Sequence, residues 1–215
     1  MEKINKCILY FIIKSKDGSN TILKKDCEDN ISVYSFGEEQ WVFISKLEDV
    51  IVDGDILCEI SLLEVEKVLN KQRDKLNHLV EVAMSVDNNA HKGQYDKGGK
   101  PYILHPLAVA NSLNDTEQKI IAYLHDVCED TSITLSDLAN LGFTSHILHA
   151  LKLLTKQKGT PYMDYIKGIK TNRNATEVKK ADLRHNIDLS RIINLSEKDK
   201  KRVEKYKKAL SYLIE

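Results

Sequence analysis

A chain of 215 residues, 42% hydrophobic and 30% charged, holds one good-sized soluble domain, or one domain and a small appendage. Its 32 basic residues balance its 32 acidic ones, so no global positive field argues for a nucleic-acid partner. The apolar run at residues 7–13 ends at Lys14 and Lys16 and is too short to cross a bilayer, so no membrane partner is expected either.

The first 60 residues carry about five more acids than bases. Residues 7–13 are β-branched and aromatic, residues 31–35 alternate, and residues 41–45 again favour strand. Asp17-Gly18 and Asp53-Gly54 are turn signals. The spacing predicts a small β-rich module over residues 1–60, with no histidine and no catalytic cluster. From Leu62 the apolar period becomes helical, with Leu62, Val65, Leu69, Leu76, Leu79 and Ala83 on one stripe. One helix is expected to about Asn89, with a break near residues 71–74. Gly93, Gly98, Gly99 and Pro101 then form a loop. Pro106 suits the start of a helix capped at His105. Asp115-Thr-Glu-Gln118 reads as a capped entry to the helix that carries His125. Further helices are predicted at 135–141, 146–155, 161–170, 175–188 and 197–213, the last capped by Ser196. Residues 61–215 thus form a mainly α domain.

Cys7, Cys27, Cys58 and Cys128 show no C-x-x-C spacing. They read as reduced thiols of a cytoplasmic protein rather than a zinc knuckle or redox motif.

The chemistry concentrates in Ala122-Tyr-Leu-His-Asp-Val-Cys-Glu-Asp-Thr131. His125 and Asp126 offer an imidazole nitrogen and a carboxylate oxygen to a divalent ion. If the helix continues, Glu129 falls on their face, and Asp130 adds a second spare acid. Lys100-Pro-Tyr-Ile-Leu-His-Pro106 supplies His105, and Val178-Lys-Lys-Ala-Asp-Leu-Arg-His-Asn-Ile187 supplies Asp182. Two imidazoles and two carboxylates leave positions open for water and substrate. This set leans toward one Mn²⁺, with Zn²⁺, Fe²⁺ and Mg²⁺ as the other candidates. It suits metal-assisted hydrolysis, with an acid beside the metal managing protons.

The order His105, His125-Asp126, Asp182 resembles the H…HD…D signature of HD-domain metal-dependent phosphohydrolases. Ala90-His-Lys-Gly-Gln94, Pro101-Tyr-Ile-Leu-His-Pro106, Leu124-His-Asp-Val-Cys-Glu-Asp-Thr131 and Lys180-Ala-Asp-Leu-Arg-His-Asn186 resemble the hydrolase domain of RelA/SpoT-type alarmone enzymes, most closely the stand-alone small alarmone hydrolases. The resemblance spans roughly residues 70–213. It implies an all-helical HD domain, with His105, His125, Asp126 and Asp182 on the metal and Glu129 and Asp130 activating and orienting water. It also implies substrate contacts from Asn186, from Lys97, and from Arg202 and Tyr206 in Arg202-Val-Glu-Lys-Tyr206. The implied substrate is a nucleotide, and the family reaction removes pyrophosphate from the 3′ position of guanosine tetraphosphate. Two positions depart from the pattern: Asp96 and Asp188 stand where the family usually carries arginine. Both add negative charge near an anionic substrate, which Lys97, Arg184 or Arg191 could offset. The alternatives are an HD hydrolase of another nucleotide, such as a nucleoside monophosphate or NADPH, and a non-catalytic nucleotide-sensing HD module.

The remaining histidines carry blander expectations. His78, His146 and His149 read as surface or structural residues, His185 as an orienting neighbour, and His91 as either pocket lining or loop packing. Tyr162, Asp164 and Tyr165 read as the edge of the core. Residues 198–208 read as a solvated helix face from which Arg202 and Tyr206 alone turn inward.

Overall fold

The computed structural model describes residues 8–14, 20–26, 30–35, 40–44, 56–189 and 196–215. Five strands come first: β1 (Leu9–Lys14), β2 (Asn20–Lys25), β3 (Ile31–Ser35), β4 (Gln40–Ile44) and β5 (Ile56–Ile60). They form one antiparallel sheet in the order β4-β3-β2-β1-β5. β1 is the most apolar strand and lies between two neighbours, with Phe11 opposite Leu23 and Ile12 opposite both Ile22 and Cys58. Ile12, Ile13, Ile22 and Leu23 are buried. Since successive residues face opposite sides of a sheet, the burial of neighbouring residues shows that both faces at its centre are covered. β2 and β5 are additional to the expected strands. The turn signals at Asp17-Gly18 and Asp53-Gly54 lie outside the described residues, as does Arg191.

The helices are α1 (Leu62–Ala90), α2 (Leu104–Asn111), α3 (Thr116–Leu124), α4 (Val127–Asp130), α5 (Leu135–Asn140), α6 (Ser145–Leu154), α7 (Tyr162–Lys170), α8 (Arg173–Ile187) and α9 (Glu197–Ile214). The chain divides into two compact units, Met1–Lys75 and Leu76–Glu215. That division falls within α1, which runs unbroken. Lys71, Gln72, Arg73 and Asp74 are all good or neutral helix formers, so a lapse in the apolar stripe is no break.

In the second unit α8 is central and packs against α2, α3, α6, α7 and α9. Ile120, Ile121, Leu124, Leu138, Ile147, Leu151, Ile166, Ile169 and Leu183 are fully buried and form the core. Polar residues set the helix starts. Asp115, Thr134, Thr144, Asn172 and Ser196 each accept a backbone amide at the head of α3, α5, α6, α8 and α9. Gln118 does not close a capping box on Asp115: its amide donates to Asn174 Oδ1 at 3.2 Å. His105 does not cap α2 either. It is the second residue of that helix, after Ile103 at the cap, and Pro106 fits the first turn because the amides there lack helical partners.

Candidate active site

The loop between α1 and α2 is drawn tight by Asp96. Its Oδ1 accepts the amides of Gly98 and Lys100, both at 2.9 Å, and Gly99 takes φ +77°, which glycine adopts without strain. This turn presents Lys97 to a cavity of about 710 Å³. Asp96 therefore carries a structural duty in the loop as well as a charge at the wall.

α3 ends at Leu124, and a turn at His125 and Asp126 precedes the short α4. The continuous helix expected through Glu129 is thus broken. His125 Nδ1 lies 2.6 Å from the Ala122 carbonyl, competing for the acceptor that the Asp126 amide would reach in a continuing helix. The break turns His125 Nε2 and the Asp126 carboxylate toward one point. His125 Nε2 is 3.2 Å from Asp126 Oδ2 and 3.8 Å from Asp182 Oδ1. His105 Nε2 is 3.5 Å from Asp126 Oδ2 and 3.2 Å from Asp182 Oδ1. Donor atoms of His105, His125 and Asp182 lie within 4.8 Å of one another, and all three residues are buried. Asp126 is half-buried, and the Tyr102 hydroxyl donates to its Oδ2.

This arrangement fits a divalent ion. Among the described residues His125 Nε2 is buried and makes no hydrogen bond, although two carboxylate oxygens lie within 4 Å. With Nδ1 donating to Ala122, the free nitrogen is the one that faces the carboxylates. His105 is oriented in the same way, its Nδ1 lying 2.7 Å from His185 Nδ1. His105, His125, Asp126 and Asp182 would hold the ion, which would supply Lewis-acid charge beside a phosphate and lower the pKa of water.

Asp182 is held at both oxygens. Asn186 donates to Oδ1, and Lys179 Nζ lies 2.8 Å from Oδ2. Burial would raise the Asp182 pKa, but Lys179 and the two imidazoles pull it well below the usual carboxylate range. Burial likewise opposes the Lys179 charge, yet Asp182 and Tyr165 keep its pKa well above the ordinary amine value. Burial alone would lower the His125 pKa, but Asp126 and Asp182 outweigh it and raise it to about 9. A metal ligand must give up that proton. Metal affinity is therefore expected to fall as pH drops below 9, by about tenfold per pH unit for one displaced proton. Metal titrations at pH 6.5 and 8.5 check this, and equal affinities would mean that no proton leaves His125 when the metal binds.

Glu129, Asn186, Lys97, Arg202 and Tyr206 all line the cavity. Asp130 lies outside that lining; both it and Glu129 are exposed, and desolvation of its carboxylate together with the neighbouring Asp126 and Glu129 charges raises the Asp130 pKa. Asp188 also lines the cavity, while Arg184 is exposed and does not. His78, His146 and His149 are exposed. His91 is buried beside the loop, with Nδ1 2.9 Å from Gln94 Oε1 and its ring 4.8 Å from that of Tyr102. Of its two expected roles, His91 takes loop packing.

Four contributors were not among the expected site residues. Lys179 reads in the sequence as one more solvated lysine. Tyr162 lines the cavity with a buried hydroxyl that has no hydrogen-bond partner among the described residues, and Lys205 Nζ lies 4.3 Å over its ring. Tyr102 steadies Asp126. Asp87 is fully buried 3.6 Å from His91, with burial pushing its pKa to about 7. The Pro-Tyr-Ile-Leu-His spacing could have marked Tyr102, three residues before His105. Nothing local marks Asp87.

No protein-family model matches the chain. A probable GTP pyrophosphokinase of Mycobacterium leprae is 31% identical over 128 residues, which cover 54% of this chain and 16% of that protein. The bifunctional (p)ppGpp synthase/hydrolase SpoT of Escherichia coli is 46% identical over 63 residues, 27% of this chain and 9% of SpoT. Over these stretches the chain is similar to RelA/SpoT-type proteins. It spans less than a fifth of the length of these two relatives. The helical fold is shared with the solved structure of a metazoan ortholog of SpoT described as hydrolysing ppGpp, at a TM-score of 0.53 and 20% identity, over 63% of this chain and 84% of that one. Among the described residues no helix is long and apolar enough to cross a membrane.

Proposed function

We propose that the chain is a metal-dependent phosphohydrolase of the HD type acting on a nucleotide, and that guanosine 3′,5′-bis(diphosphate) is the first substrate to test, with release of its 3′-pyrophosphate. The observation that carries this is the convergence of His105, His125, Asp126 and Asp182 on one point of a cavity that also presents Lys97, Arg202 and Tyr206. His105, His125, Asp126 and Asp182 bind one ion, for which Mn²⁺ suits the N/O donor set best. Glu129, at the cavity wall, takes a proton from the attacking water, and Asp130 supports it. Asn186 holds Asp182 and faces substrate. Arg202 grips phosphate, and Tyr206, 6.2 Å from Tyr162 ring to ring, offers an aromatic wall to ribose or base. The residues assigned to the reaction all fall within 61–215, the expected helical domain, and none comes from residues 1–60, although the first compact unit runs on to Lys75 within α1. We assign the reaction to the cytoplasm, where nucleotide substrates and unpaired thiols such as Cys58 and Cys128 coexist.

The test is pyrophosphate and phosphate release from a nucleotide panel with and without Mn²⁺. Metal-dependent pyrophosphate release from guanosine 3′,5′-bis(diphosphate) is the expected result. No metal-dependent release from any nucleotide would overturn the enzyme reading in favour of a sensor.

Arg202→Ala is expected to raise KM more than it lowers kcat. A lost charge-assisted hydrogen bond costs about 1.5–3 kcal/mol, which is roughly 10- to 100-fold in binding. An unchanged KM would return Arg202 to a purely structural place on α9.

A further inference from the structure

The two cations at the cavity rim, Lys97 and Arg202, come from distant parts of the sequence and meet on one carboxylate. Asp199 Oδ1 lies 2.7 Å from Lys97 Nζ and 3.2 Å from Arg202 Nη2. Its Oδ2 accepts the Ser196 amide at 3.2 Å and the Ser196 hydroxyl at 2.5 Å, closing the cap of α9. The Asp199 side chain is 7% exposed, whereas that of Lys97 is 53% exposed and that of Arg202 is 29% exposed. Asp199 thus sits behind the rim, and the cations stand in front of it on the cavity wall. Lys97 and Asp199 hold each other so firmly that the carboxyl pKa falls far below its ordinary range, with Ser196 adding to the effect.

This geometry does two things. Two like charges that would repel are held side by side by the carboxylate they share. The same carboxylate cancels one of them, so an arriving phosphate meets one net positive charge rather than two. Arg202 Nε, one of its five N–H donors, is buried without a partner among the described residues, so the guanidinium is not saturated by Asp199. Elsewhere around the cavity, three lysines, Lys156, Lys179 and Lys205, face five carboxylates, Asp96, Asp126, Glu129, Asp182 and Asp188, so apart from an ion held by Asp126 and Asp182 the side chains offer no surplus positive charge to make up the loss. A repulsion between Asp199 and a ligand scales with the ligand's charge. It therefore weighs most on nucleotides with the most phosphates.

We propose that Asp199 is a specificity-determining residue: it fixes Lys97 and Arg202 at the rim while cancelling one of their charges, and so tempers the advantage that two free cations would give the most highly phosphorylated nucleotides. This rests on the reading of the cavity as a nucleotide site. Asp199 itself need not touch the ligand, since it acts through the two cations it holds.

The experiment is calorimetric binding to the full, metal-loaded chain of two ligands that cannot be hydrolysed. One is guanosine bearing a single 5′-phosphonate, and the other is the analogue of guanosine 3′,5′-bis(diphosphate) in which a methylene replaces the 3′ ester oxygen, so that the bond broken on pyrophosphate release is absent. Asp199→Asn keeps the shape and removes the charge. The expected result is a shift of about tenfold or more in the affinity ratio toward the bis(diphosphate) analogue. A purely structural role would weaken both ligands alike and leave the ratio where it was. Asp199→Ser retains a hydroxyl for the α9 cap and gives the same reading if Asp199→Asn fails to fold. An unchanged ratio, or one shifted toward the monophosphonate, overturns the proposal while leaving the nucleotide site in place. Binding of neither ligand by the natural protein sinks the site reading and this inference together.

Discussion

Asp126→Ala is expected to abolish metal binding and hydrolysis together, while the protein stays folded. The four donors are not equivalent. His105, His125 and Asp182 are buried within the helical unit, and each is oriented by a neighbour: His185, Ala122 and the pair Lys179 and Asn186. Asp126 is half-buried at a turn, and its side chain fills no part of the apolar core. Removing it should leave folding intact but take away one of only two anionic ligands. Without it, the positive charge of the ion faces Asp182 alone, and that carboxylate is already neutralised by Lys179 at 2.8 Å. The expected loss is therefore larger than a simple quarter share of the ligand set. Plasma-emission metal analysis of the purified variant, beside a thermal melt, checks both halves. A metal content of one per chain with a native melt would show that Asp126 is not a ligand.

Most of the helices were legible in the sequence because polar caps mark the starts of α3, α5, α6, α8 and α9. Thr134 and Ser196 begin α5 and α9 with both hydrogen bonds of a capping box in place, and the expected starts there fall on the observed ones. α8 begins at Arg173 rather than 175 because Asn172 takes the cap. β2 and β5 were not legible. Asn-Thr-Ile-Leu-Lys-Lys has two strongly apolar residues, and its strand state comes from pairing with β1 and β3. The break between α3 and α4 was equally hidden, since helical spacing alone carries the pattern straight through His125. Most of the proposed metal donors and Glu129 could be picked out because histidine and acidic residues clustered in short motifs are chemically conspicuous. Lys179, Asp87 and Asp199 could not. A lysine or aspartate on a polar stretch reads as solvated, and only tertiary packing takes these charges out of water.

Glu129→Gln is expected to keep the metal and lose most of the turnover. Glu129 reaches the cavity from α4, and its Oε2 accepts the Lys156 backbone amide at 2.9 Å. A glutamine carbonyl can accept the same hydrogen bond, so the substitution preserves the position of the side chain and removes its ability to take a proton. Glu129 is not among the four converging donors, so metal content should be unchanged. General-base catalysis contributes roughly 10²–10⁴-fold, and the drop in kcat should fall in that range, with KM moving far less. Near-normal turnover with metal retained would take Glu129 out of the mechanism. Asp130→Asn separates the two acids. Asp130 is exposed and outside the cavity lining, so an effect as large as that of Glu129→Gln would mean that the pair works as a unit, one carboxylate taking the proton and the other keeping its partner basic. A loss confined to Glu129→Gln would leave proton transfer to Glu129, the member of the pair that lines the cavity.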